Sequence, residues 1–132
     1  MADEPAGYSI NVESGNIVVQ HTGRLTAQAI EASRREVAEL AAERHLSGIL
    51  LDLSPATSSL PFIDIFELGS GQGSVLPPSV VVAVVYRPDQ FSAEDIDFAE
   101  DISLNRGIQM RAFTDSETAQ QWLLDHRRPM PG

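Results

Sequence analysis

Residues 80–85 read Val-Val-Val-Ala-Val-Val and stand between a Pro77-Pro78 pair and an Arg87-Pro88 break. The run is β-branched throughout except for Ala83, and it shows no alternation of apolar with polar residues. That combination makes a strand buried on both faces, which requires a sheet with a layer packed on each side. Residues 49–53, Ile-Leu-Leu-Asp-Leu, form a second such run, entered from Ser47-Gly48 and left through Ser54-Pro55. Two doubly buried strands in one short chain point to an α/β architecture.

The segments around them supply the remaining layers. Tyr8, Ile10 and Val12 alternate with polar residues, as do Ile17 and Val19, and Glu13-Ser14-Gly15-Asn16 lies between them. This is the pattern of a hairpin of two half-buried strands. Thr26 is placed to cap a helix over 27–46, with Ile30, Val37, Leu40 and Ala41 on one face and Glu31, Arg35, Glu36, Glu39 and Glu43 opposite. Pro61 suits the first turn of a short helix over 60–68, closed by Gly69 and followed by a loop over 69–79. Ser92 caps a helix over 92–106 that stops at Gly107. A strand over 108–113 leads into a capping box, Thr114 to Glu117, and a last helix with Ala119, Trp122 and Leu123 inward.

The order is ββαβαβαβα. It predicts an α/β fold in which a β-hairpin and βα units build a mostly parallel five-stranded sheet with helices packed on it, residues 80–86 being the central strand. One domain over 8–126 follows, with a flexible tail at 1–7 and another at 127–132.

Absences exclude more than the motifs assert. The 132 residues contain no cysteine and no lysine, all nine basic residues being arginine. Thiol nucleophiles, thiolate metal sites, a phosphate-loop lysine and Schiff-base chemistry are excluded. The net charge of −10 opposes nucleic acids and anionic membrane surfaces as partners. The start, MADEPAGY, lacks the apolar region of a secretory signal, and no run reaches the length of a membrane span. A cytoplasmic location is the expectation.

The remaining motifs read as structural. Gly69-Ser70-Gly71-Gln72-Gly73 follows a helix instead of opening one, the wrong context for a phosphate cradle. The acids Glu94, Asp95, Asp97, Glu100 and Asp101 lie along a helix, where they form a solvated face favoured by the helix dipole. His21, His45 and His126 lack metal-ligand spacing. No Gly-x-Ser-x-Gly elbow exposes a serine. Catalytic residues, metal ligands and cofactors are therefore expected to be absent.

Three segments carry a family resemblance. VVQHTGRLTAQAI at the exit of the hairpin, GILLDLSP at the strand over 49–53, and MRAFTDSETAQQWL at the closing strand and helix are together similar to the STAS superfamily, in its SpoIIAA-like (STAS/SEC14-type) form. The resemblance spans about residues 8–125. It implies a non-enzymatic interaction domain. In phosphorylation-switched members a serine opens the second helix, where free N–H groups and an added phosphate change the docking face. This chain departs from that pattern: the acceptor position falls on Pro61, or on Ile65 and Phe66 in the other alignment. Ser58 and Ser59 lie just upstream, where either can serve as a helix cap or as a displaced switch.

The helix over 60–68 is apolar around nearly its whole circumference, through Phe62, Ile63, Ile65, Phe66 and Leu68. A surface helix needs about half of that. The site expected from these readings comprises Asp52, Ser54, Ser58, Ser59, Phe62, Ile65 and Phe66. It would dock a protein partner, or a second copy in a homodimer, through the loop and helix over 54–68. The alternative is a small apolar ligand or lipid held beneath 60–76. A third reading, a hydrolase using Ser54 or Ser58 with Asp52, lacks a motif.

Overall fold

A computed structural model describes residues 7–57, 80–105 and 109–126 of the chain. The expected helix over 60–68, the loop over 69–79, Gly107 and the C-terminal tail over 127–132 lie outside the described residues, as does the N-terminal tail except Gly7. Strands β1 (Gly7–Glu13) and β2 (Asn16–Arg24) form the hairpin. Helix α1 (Ala27–Arg44) leads to β3 (Gly48–Asp52) and a two-residue strand β4 (Ala56–Thr57). Strand β5 (Val81–Val85), helix α2 (Ala93–Asn105), strand β6 (Gln109–Phe113) and helix α3 (Ser116–His126) complete the described order.

The sheet runs β1-β2-β3-β5-β6, with β4 joined to β2 off this path. Among the described strands only β1 is antiparallel; β2, β3, β5 and β6 are parallel neighbours. The five expected strands are therefore present in a mostly parallel sheet, but the middle of the row is β3 and not β5. Strand β4 was not expected. Its two residues pair in parallel with Gly23 and Arg24, at the end of β2.

The unbroken valine run of β5 is explained by layers on both sides. Val82 and Val84 face the cores beneath α1 and α2, with Leu51, Leu53, Ile96, Ala99 and Met110 among their neighbours. Val81, Ala83 and Val85 face Ala119 and Leu123 of α3 together with Leu50. Leu53 and Leu123 are fully buried, and truncating either to alanine would cost about 2–5 kcal/mol.

The local signals set most element ends. Ser14 and Gly15 both take positive φ, 52° and 78°, giving the two-residue turn whose twist matches a hairpin. Thr26 Oγ1 accepts from Ala29 N at 3.1 Å, and Ser92 Oγ from Asp95 N at 3.1 Å, as capping predicts. Two expectations are corrected. Helix α1 ends at Arg44 rather than 46, because His45 adopts a left-handed conformation and bonds back to the Ala41 carbonyl. The cap of α3 is Asp115, not Thr114: its Oδ2 accepts from Thr118 N at 2.9 Å and Thr118 Oγ1 at 2.7 Å. Those bonds hold the Asp115 carboxyl below its ordinary pKa, the hydroxyl contributing most.

The row's two edges differ. On β6, the Glu100 carboxylate of α2 accepts the Ala112 N–H at 2.8 Å, so an acid read as part of a solvated face instead occupies an edge donor. On β1, no described residue pairs with the outer edge.

His21 is buried where β2 meets α1. Its Nε2 lies 3.0 Å from Ser33 Oγ, and Ser33 donates to the Ile30 carbonyl at 3.0 Å. Ser33 has one proton, so Nε2 is the donor in the His21 pair, and burial favours the neutral form of the ring. The Tyr8 ring stands 5.6 Å away, and its hydroxyl donates to Glu36, which raises the Tyr8 pKa. Burial pushes the His21 pKa down from its ordinary 6.5. The unfolded chain therefore takes up a proton near that ordinary value while the folded chain does not. The stability due to neutral His21 is complete above about pH 6.5 and is lost as pH falls towards the folded pKa, by at most about 1.4 kcal/mol per pH unit. Urea midpoints measured from about pH 7.5 down to pH 5.5 should fall in wild type and flatten in His21→Gln. Equal slopes in the two proteins would contradict this assignment.

Candidate functional site

The carboxyl ends of the parallel strands gather the polar groups left over from the core. In α/β sheets this is the end at which ligands and partners are met. Strand β3 ends at Asp52, the chain turns through Leu53, Ser54 and Pro55, and β4 follows. Asp52 Oδ1 accepts from Ser54 N at 3.0 Å and from Ser54 Oγ at 2.6 Å, while Oδ2 accepts from Gln20 Nε2 at 3.1 Å. The aspartate thus folds the loop over itself and ties it to β2, a local turn device of short acidic side chains.

A second set of bonds reaches across from the exit of β5. Arg87 to Gln90 form a turn closed twice: Gln90 N donates to the Arg87 carbonyl at 2.9 Å, and Arg87 N donates to Gln90 Oε1 at 2.6 Å. Gln90 Nε2 then donates to the carbonyls of Leu53 and Ala56, at 2.8 Å each. The Arg87 guanidinium donates to the Ser54 carbonyl and pairs with Asp89 at 3.2 Å. Leu53 N donates to the Val85 carbonyl and Leu25 N to the Thr57 carbonyl, both at 2.8 Å. Every segment that meets here is therefore bonded to another.

Of the expected site residues, the structure brings together Asp52 and Ser54. Ser58, Ser59, Phe62, Ile65 and Phe66 lie outside the described residues. Gln20, Arg87 and Gln90 were missed. The Arg-Pro-Asp-Gln sequence signalled only a break, since proline suits the second position of a turn. Nothing local marks the glutamine as a partner for carbonyls 34 and 37 residues away.

Ser54 and Asp52 are in contact, but no described histidine joins them. His21 is committed to Ser33, His45 closes α1, and His126 stacks on Trp122 at the far end of α3 with its Nδ1 2.8 Å from the Trp122 carbonyl oxygen. Among the described residues no three acidic or histidine side chains group as a metal site. An open cleft of about 290 Å³ lies beside the corner, lined by Tyr86, Ala112, Phe113, Thr114, Asp115 and Thr118. Among the described residues no helix is long and apolar enough to cross a membrane.

No sequence-family profile and no curated protein matches the chain. Solved structures do. An anti-sigma factor antagonist from Mycobacterium paratuberculosis superposes with a TM-score of 0.58 at 14% identity, covering 92% of this chain and 96% of that one. An uncharacterised protein with a SpoIIAA-like fold from Shewanella loihica superposes with a TM-score of 0.59 at 18% identity, covering 93% and 98%. The chain therefore has a SpoIIAA-like fold, as the resemblance of its three segments implied. Asp52 and Ser54 stand at the close of its middle strand.

Removing the Gln90 amide takes one donor from each of two carbonyls, leaving Leu53 with the Ala56 N–H at 3.0 Å and Ala56 with the Arg87 guanidinium at 3.4 Å. Gln90→Ala should cost about 1–3 kcal/mol in urea unfolding, more than Arg87→Ala, whose side chain is 42% exposed. The reverse order would show that the arginine carries the corner.

Proposed function

We propose that the chain is a non-enzymatic regulatory module that docks a protein partner, or a second copy of itself, through the loop and helix over 54–68. The observation that supports this reading is the use to which the corner's polar groups are put. Asp52, Gln90 and Arg87 each bond to backbone or to a neighbouring side chain, which makes a firm base for the segment that follows. A catalytic serine and aspartate would need a proton acceptor between them. A surface for another protein needs only a fixed shape, apolar anchors and a partner fitted to them.

The neighbour from Mycobacterium paratuberculosis is named as an antagonist of an anti-sigma factor, a role exercised on another protein. Its fold makes a protein partner the natural choice here. Phe62, Ile65 and Phe66 would supply the apolar anchors, and Ser58 and Ser59 precede them in the chain.

The test is co-purification of the tagged chain from its source cells and native mass spectrometry, each run on wild type and Phe66→Asp. The reading predicts a bound protein or a self-complex whose affinity drops at least about tenfold in the variant, or ~1.4 kcal/mol. A wild type whose oligomeric state and retained proteins are the same as those of Phe66→Asp would refute it.

A further inference from the structure

The two edges of the sheet are treated differently, and the difference points to one of them as a seam. Edge strands invite pairing unless something blocks them. On β6 the Glu100 carboxylate takes the Ala112 N–H. On β1 the hairpin register decides which groups remain. Glu13 and Asn16 flank the two-residue turn and form its closing hydrogen-bonded pair, so Asn11, Ser9 and Gly7 also point their N–H and C=O groups at β2. The backbone groups of Tyr8, Ile10 and Val12 therefore point outward, where no described strand receives them.

That strand is matched to itself. We infer that the outer edge of β1 is the seam of a two-fold dimer, in which β1 pairs antiparallel with β1 of a second copy about Ile10. In that register Ile10 faces Ile10, Tyr8 faces Val12, Ser9 faces Asn11 and Gly7 faces Glu13. The three outward residues then fall opposite one another as hydrogen-bonded pairs, giving each free N–H a carbonyl. The apolar side chains lie together on the α1 side of the sheet, and aromatic with β-branched is a favourable cross-strand pair. Val12, 40% exposed, would be covered by the second copy's tyrosine ring.

Charge does not oppose this edge. In a chain of net charge −10, β1 carries one formal charge, Glu13, which meets a glycine and not another acid. The copies still repel as whole molecules, so the dimer should tighten as salt is raised. The seam is separate from the 54–68 corner, and the two can be tested apart.

Sedimentation of the full chain over a concentration series should show a reversible dimer. Val12→Pro removes an outward N–H but no hairpin bond, and edge strands accept proline. It should weaken the dimer at least tenfold with unchanged circular dichroism, as should Val12→Lys, while Phe66→Asp leaves it intact. Because the chain lacks cysteine, Ser9→Cys and Asn11→Cys chains can be mixed and oxidised. The register brings these positions to about 4.5 Å and predicts cross-linking in the mixture faster than in either chain alone. A monomer at every concentration, a dimer indifferent to both Val12 substitutions, or cross-linking no faster in the mixture would overturn the seam.

Discussion

The Gln90 carboxamide holds the carbonyls of Leu53 and Ala56 at 2.8 Å, and the carboxyl end of the sheet depends on that bridge. It joins the turn after β5 to the corner after β3, two segments that strand pairing alone leaves independent. With the corner held, Ala56 and Thr57 can lie against Gly23 and Arg24 as a short strand, and Leu25 finds its acceptor in the Thr57 carbonyl. Leu53 and Ala56, both fully buried, then close the core around Phe91 and Ile96. The interaction is a neutral one in a part-buried place, and each of its bonds is only modestly favourable. Its importance lies in the number of segments it obliges to meet.

The elements that repeat within a few residues were legible in the sequence. The valine run of β5, the alternating hairpin, the Thr26 and Ser92 caps and the apolar positions of α3 all follow from local spacing. What was illegible depends on contacts across the chain. Strand β4 exists because distant carbonyls are held, and Glu100 guards β6 because α2 packs beside it. His45 ends α1 in a backbone conformation that histidine adopts less readily than glycine, so the later Ser47-Gly48 was the more visible stop. Of the site, Asp52 and Ser54 could be found from a strand ending in an aspartate and a turn. Their partners Gln20, Gln90 and Arg87 could not, because a side chain that serves a distant carbonyl leaves no periodic trace.

The corner spends its polar groups on its own structure. Its acid and hydroxyl are spent on the turn, its guanidinium on a carbonyl and an aspartate, and its amide on two more carbonyls. The result is a fixed edge from which the 54–68 segment departs, in a fold shared at 14–18% identity with an anti-sigma factor antagonist and a SpoIIAA-like protein. Such low identity preserves the layering of strands and helices and leaves each chain to build its own surface.

This corner is as firm as the sheet that carries it. Native-state amide hydrogen exchange tests it most directly, because protection reports the free energy of opening at each N–H. The account predicts that the amides of Leu53, Ala56 and Leu25, bonded to Val85, Leu53 and Thr57, exchange only through the same global opening that frees the β3 and β5 amides. Exchange at those three positions at rates typical of a free loop, with the strands still protected, would contradict it.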